Sequence, residues 1–264
     1  VTLTEGRYRW NGSELRPAEG AKLALFVADS FLIRDGAVVA PELHRARFLR
    51  DADAQGMVNA PTAFVDAAFA ALPASGLWFP RLDLTERGEL EVWVRPAPPL
   101  GDTVSLWTSP DDPRTEPGIK GPDIPALAEL RERAQEAGAD EAVMLDSQGC
   151  VADGATTCFV WWRDDVLVTP PINGVGTRDR AKRVSSVTVD VVREMASETG
   201  VDVRYEEFAP ADVVGCDLWA LNALHGIRGV TSWNDGPTLS SDSERLRAWQ
   251  HLYWSRATNV SEGT

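Results

Sequence analysis

The spacing of apolar and polar positions sketches most of this chain before any single residue is considered. YRWNGSELR, residues 8–16, alternates on both sides of an Asn-Gly pair and predicts a hairpin. ALFVADSFLIRDGAVVAPEL adds two strands across Arg34-Asp35-Gly36. From Pro41 the spacing of ELHRARFLRDADAQGM becomes helical, and PTAFVDAAFAALPASG predicts a second helix that Pro73 and Gly76 end. LEVWVRP is a strand that closes on Arg95 and a proline. The Pro/Gly cluster after it, APPLGD, predicts a domain boundary.

Beyond that boundary TVSLWTSP reads as a strand and DDPRTEPGIKGPD as a polar connection. PALAELRERAQEAG is a helix with Pro125 near its start and Gly138 at its stop. ADEAVMLDSQGCVADGATTCFVWW predicts a hairpin about Ser147-Gln148-Gly149, followed by the strand DVLVTPP and a charged loop, GVGTRDRAKR. In SSVTVDVVREMASETG, Val187, Val191, Met195 and Ala196 share a helical face, with Ser185 or Ser186 as N-cap. VDVRYEEF and DLWALNAL read as strands. Strand-rich and helix-rich stretches alternate irregularly. That predicts a mixed α/β, or α+β, protein of two domains: a smaller one over residues 1–98 and a larger one over 103–264.

Composition narrows the function. With 264 residues and 44% hydrophobic content the chain can bury a substantial core. A formal charge of −14 repels phosphodiester backbones, so no nucleic-acid partner is expected. No apolar run approaches the roughly 20 residues that span a bilayer. The N-terminal segment lacks the charged-then-apolar plan of a signal peptide, and no membrane association is expected. Three cysteines without a CxxC pair suit the cytoplasm and argue against a metal site. Lysine is scarcer still: only Lys22, Lys120 and Lys182 could support lysine-dependent chemistry.

Several of the remaining residues carry chemistry or its bland alternative. Lys120 lies between glycines in GIKGP, where another group can approach closely, although a solvated loop lysine is the ordinary reading. The helix start at Ser185, Ser186, Val187 and Thr188 offers free N–H groups and small hydroxyls to a phosphate, while N-capping explains the same serines. Arg47 follows His44 by three on a helix and shares its face. Arg95 is a charge at the end of an apolar strand, where a salt bridge is the plain alternative. His225, in NALHGI, ends an apolar segment at a turn. The odd feature of the long hairpin is Asp153, a carboxylate followed by small residues within a strand that should pack.

Together these segments resemble the class IV aminotransferases, the fold-type IV pyridoxal-phosphate enzymes. ADEAVMLDSQGCVADG resembles the family's DEALLLD…G-x-V-x-E run, and is locally most similar to aminodeoxychorismate lyase. Lys120 lies 26 residues before Asp146, the spacing of the family's Schiff-base lysine. LIRDGAVVAPELHRARF resembles the segment whose H-x-x-R arginine holds the cofactor phosphate. DVLVTPP, the SVTVDVV helix start, the ALNALHGIRGV loop and the VWVRP strand resemble further family segments, and the likeness runs over about residues 22–235.

The resemblance implies a two-domain architecture like that of D-amino acid aminotransferase, with the lysine in the larger C-terminal domain. It implies pyridoxal 5'-phosphate as cofactor, bound to Lys120 as a Schiff base and held by Arg47, Ser186, Val187, Thr188, Asn222 and Ala223. Asp153 stands where the family's glutamate meets the pyridine nitrogen. Arg95, Leu224 and His225 fall at substrate-contacting positions, Arg95 with a possible carboxylate role. The chain departs from the pattern at Asp153 for Glu, Ser186 for Gly, Val189 for Arg, Cys158 for Asn and Ala223 for Thr. The implied activity is transamination between an amino acid and a 2-oxo acid. The alternative is a 4-amino-4-deoxychorismate lyase releasing pyruvate and 4-aminobenzoate, and a third reading is a cofactor-binding homologue without turnover. A cytoplasmic homodimer is the expected assembly.

Overall fold

The computed structural model describes residues 2–57, 60–171 and 183–260, which form two compact units. The first unit comprises residues up to 100 together with 119–122 and the chain from 256. It opens with β1 (Gly6–Trp10) and β2 (Leu15–Pro17), the Asn-Gly hairpin. β3 (Leu25–Ser30), β4 (Ile33–Arg34) and β5 (Ala37–Val39) follow. Helix α1 (Pro41–Ala54) starts on its proline, as the spacing predicts, and α2 (Ala60–Ala70) comes next. β6 (Leu77–Trp78), β7 (Arg81–Thr85) and β8 (Leu90–Val94) complete the first pass.

An antiparallel sheet in the order β2-β1-β8-β7-β3 is the unit's frame. Its register separates two faces, because residues paired directly across antiparallel strands point the same way. Val27, Leu82, Leu84, Val92 and Val94 face α1 and α2 and pack with Phe48, Phe64, Val65 and Phe69. The opposite face is charged. One row runs Ser30, Arg81, Trp93, Arg7; the next runs Ala28, Asp83, Glu91, Arg9. β7 is buried along its whole length and has no counterpart in the sequence pattern. Its polar residues are satisfied in place: Arg81 Nε lies 2.6 Å from Asp83 Oδ1.

The second unit comprises residues 101–118 and 123–255. It contains β9 (Thr103–Thr108), α3 (Ile124–Glu136), β10 (Glu141–Leu145), β11 (Val151–Gly154), β12 (Cys158–Arg163) and β13 (Val166–Thr169). After residues 172–182 come α4 (Val187–Thr199), β14 (Val203–Tyr205), β15 (Asp217–Asn222), β16 (Gly226–Asn234) and α5 (Ser243–Trp254). Of the charged loop read at 174–183, only Arg183 lies within the described residues.

A mixed eight-stranded sheet, β11-β10-β9-β16-β15-β12-β13-β14, carries these helices. Val104, Leu106, Val143, Trp161, Val168, Leu218 and Ala220 form its main core, where Trp161 meets Phe208 at a ring separation of 4.5 Å. α5 packs against β16 and is an element the sequence pattern did not predict. Its Trp249 meets Trp162 and Trp219 edge-on, at 5.2 and 5.8 Å. The last described residues belong to the first unit, where β17 (Ala257–Asn259) pairs with β5.

Residues 119–122 cluster with the N-terminal unit. The cause is a backbone contact. Ala28 N on edge strand β3 donates to Lys120 O at 2.6 Å, and Ile119 packs on the first unit's core. Gly121, at φ +150°, lies so close to β3 that a Cβ there would sit 2.9 Å from Val27 Cα. A glycine is the residue that permits this approach.

Candidate active site

The candidate residues form separate groups, each built within one unit. In the first unit Lys120 is half-buried at the edge of β3. The next residue along β3 after the one that binds it is Asp29, which is fully buried. Asp29 Oδ1 lies 2.7 Å from His44 Nδ1, and Arg47 Nε donates to Asp29 Oδ2 at 2.6 Å. His44 also meets the Phe31 ring, with centroids 5.2 Å apart. Burial alone would raise the Asp29 carboxyl, but Arg47 and His44 together hold it well below the usual carboxylate range. Burial lowers the His44 pKa, Asp29 partly offsets this, and the positive charges of Arg47 and Lys120 lower it further. Lys120 is therefore close enough to this cluster to act on it electrostatically.

Arg95 occupies the charged face of the same unit. Its Nε donates to Phe79 O at 2.9 Å, and its guanidinium lies 4.3 Å from the Trp93 ring centre. Arg81 at 5.2 Å and Lys22 at 5.1 Å approach the same ring. Burial, with Arg81 nearby, brings Arg95 down to about 10. A concentration of cations thus lines one indole, with Asp83 as the nearby carboxylate.

In the second unit Asp153 is buried in β11. Burial pushes its carboxyl up to about 6 against the pull of Arg114 and Arg183. Arg114 Nη1 is 3.7 Å from Asp153 Oδ2, while its Nη2 donates to Asp112 Oδ2 at 2.7 Å. Arg183 is strapped over β11 through the carbonyls of Val151 and Ala152. The half-buried Cys158, its thiol pKa pushed up by desolvation and by Asp153, neighbours both Asp153 and Ser186. Asp153 and Ser186 thus share a neighbour that departs from the family pattern. Neither Arg114 nor Arg183 stands out in the sequence, where each looks like a loop charge.

Ser186 is the N-cap of α4, its Oγ accepting from Val189 N at 3.3 Å. Capping is thus its observed role, while the N–H groups of Val187 and Thr188 are among those a helix cannot satisfy internally. Thr188 is buried close to Tyr253 on α5, a phenol that burial pushes up to about 12. Asn222, Ala223, Leu224 and His225 form the turn between β15 and β16. Asn222 Oδ1 accepts from Leu224 N at 3.1 Å and His225 N at 2.8 Å, so its side chain shapes the turn. Gly226 closes it at φ +67°, with Tyr253 so near that a Cβ would lie 2.7 Å from the ring. His225 Nδ1 accepts from Gly101 N at 3.2 Å; burial and Arg228 lower it to about 4, which keeps the ring neutral.

The two-unit fold is that of the fold-type IV aminotransferases. The branched-chain amino acid aminotransferase from Escherichia coli matches at a TM-score of 0.75 and 17% identity, over 98% of this chain and 97% of that one. The branched-chain aminotransferase of Thermoproteus uzoniensis, solved with norvaline, matches at 0.78 and 18%, over 96% and 99%. An aminotransferase from Brucella abortus, bound to the cofactor pyridoxal phosphate, matches at 0.75 and 16%, over 95% and 99%. Comparison with the curated proteins gives no match. The chain itself belongs to the class IV aminotransferases: the family model for amino-transferase class IV matches residues 27–233. It is thus an enzyme of a pyridoxal-phosphate-dependent family.

Proposed function

We propose that the chain is a transaminase that moves an amino group from an amino acid to a 2-oxo acid, with Lys120 as its catalytic residue. The observation that carries this reading is Lys120 itself: a half-buried residue whose backbone carbonyl is pinned to β3 beside a glycine-enforced backbone contact, next to the Asp29–His44–Arg47 cluster. The other residues fit pyridoxal phosphate. Arg47, the Val187 and Thr188 amides with Ser186, and the turn at Asn222 and Ala223 would hold its phosphate. Asp153, a buried carboxylate with Arg114 no nearer than 3.7 Å, would pair with its ring nitrogen.

The cofactor supplies an aldehyde and an electron-withdrawing ring. Lys120 Nζ would hold the cofactor and, once the substrate amine takes its place, would remove and return the proton at the substrate Cα. Asp153 would face the ring nitrogen, where a carboxylate favours the protonated form. Arg95, stacked on Trp93, would receive a substrate carboxylate, with Leu224 and His225 bounding the substrate. The enzyme would work as a cytoplasmic homodimer, a setting that suits its three free cysteines.

The Asn222–His225 turn supports a second reading, because Asn-Ala-Leu at that place resembles the lyases. There the same residues would expel pyruvate from aminodeoxychorismate and release 4-aminobenzoate. The test is the visible absorbance of the protein with pyridoxal phosphate, with and without Lys120→Ala, against a panel of amino donors. A Lys120-dependent band bleached by a donor, with 2-oxo acid formed, supports transamination. A band unmoved by every donor, together with 4-aminobenzoate release, would favour the lyase, and no band at all overturns both.

A further inference from the structure

We propose that Asp29 is a positioning residue that clamps the Arg47 guanidinium in the orientation needed to receive a phosphate group, with His44 as the second jaw of the clamp. The inference rests on the reading of Arg47 as the phosphate-binding arginine. Asp29 pairs in register with Leu82 and so points to the helix-covered side of the sheet, towards α1. Its two oxygens serve two partners, His44 Nδ1 at 2.7 Å and Arg47 Nε at 2.6 Å. His44 and Arg47 are three residues apart on α1, hence on one helix face. One carboxylate thereby ties α1 to β3, one residue away from the Ala28 amide that holds the lysine backbone.

An arginine presents its N–H groups in a rigid planar fork. With Nε committed to Asp29, the plane of the guanidinium is fixed. Orientation set in advance spares a ligand the cost of ordering the side chain when it binds. A purely structural role is a poor explanation of this pair, because two charges buried for packing alone are often no better than apolar residues of the same volume. The charge of Asp29 also works against an anion. If Asp29 did not orient Arg47, its neutralisation would strengthen phosphate binding; if it does, binding weakens. The two accounts therefore differ in sign.

The experiment compares the affinities of wild type and Asp29→Asn for pyridoxal phosphate and for pyridoxal, which lacks the phosphate, by quenching of tryptophan fluorescence. Wild type is expected to prefer the phosphorylated form. Asp29→Asn should lower that preference about tenfold, the scale of outer-shell partners at ligand sites, with pyridoxal affinity little changed. An unchanged or increased preference overturns the clamp while leaving the phosphate role of Arg47 standing. A wild type without preference overturns that role instead, and the clamp with it. If Asp29→Asn does not fold, Asp29→Glu takes its place: the charge is kept and the carboxylate displaced by one methylene. Its preference should fall about threefold or more, since positioning tolerances are below an ångström, and an unchanged preference overturns the clamp.

Discussion

Two aspartates, one in each unit, are buried, and their carboxyl pKa values are displaced in opposite directions. Asp29 has two partners at hydrogen-bond distance, and its carboxyl stays charged far into acid. Asp153 has Arg114 at 3.7 Å and the neutral Cys158 thiol, and its carboxyl rises to about 6. Burial penalises both; the difference lies in whether a cation is close enough to offset desolvation. Asp29 is complete as it stands. Among the described residues Asp153 has no cation as close, and the proposed partner, a protonated ring nitrogen, would draw its carboxyl back down. On the proposed reading, the contrast separates a residue that positions Arg47 from one that pairs with the cofactor.

The strongest test of this division lies outside both acids. Lys120→Ala should lower turnover about a thousandfold or more, because no other described group can replace a primary amine at that place. Steady-state kinetics with the best donor would show it, and a variant retaining a tenth of wild-type activity would remove Lys120 from the chemistry. Next comes Asp153→Asn, expected to reduce turnover on the order of a hundredfold, as for removal of a preorganised charge that faces the reacting system. Asp153→Glu should recover most of that loss. Equal losses in both variants would mean that the position matters for packing, not for charge.

Stability should divide the acids differently. Asp29→Asn leaves Arg47 buried beside a neutral group, and should cost about 3–5 kcal/mol in urea denaturation of the cofactor-free protein. The pH dependences have opposite signs. The folded-state pKa of Asp29 is depressed, so its contribution is present above the ordinary 3.8 and is lost only as pH falls below it. That of Asp153 is raised, so the folded protein binds the proton more tightly and loses stability as pH climbs from about 4 to about 6. The loss is on the order of 3 kcal/mol, from a shift of about two units. Asp153→Asn should therefore flatten the stability profile in that window, and Asp29→Asn should leave its slope in place. The reverse assignment of slopes would break the comparison.

The same contrast shows what the sequence could reveal. Local signals were legible: Pro41 starts α1, Ser186 caps α4, and Asn11-Gly12 turns the first hairpin. Lys120 was visible through its spacing to Asp146, and Asp153 through its place in a run that resembles the family's G-x-V-x-E strand. Asp29 was not, because its partners lie 15 and 18 residues away and only the packing of α1 on β3 brings them together. Strand β7 was hidden for a related reason. RLDLT looks polar in sequence, yet Arg81 and Asp83 neutralise each other within the strand and allow full burial. Helix α5 could have been found. Asp242 accepts from Glu244 N and Arg245 N as its cap, and Leu246, Trp249 and Tyr253 repeat on its buried face.

That last helix supplies the smallest and sharpest prediction. Tyr253 is buried on α5 and its hydroxyl reaches Thr188 in the first turn of α4. Tyr253→Phe removes the buried hydroxyl beside Thr188 without opening a cavity, and should cost about 1 kcal/mol of stability at most. Ser186→Ala removes the α4 cap and should cost a similar amount, about 1 kcal/mol. If the start of α4 holds the cofactor phosphate, both changes should also weaken pyridoxal phosphate more than pyridoxal, by a few-fold at most. A stability loss with the phosphate preference intact would reduce α4 to a capped structural helix. The preference would then rest on Arg47 and its clamp alone.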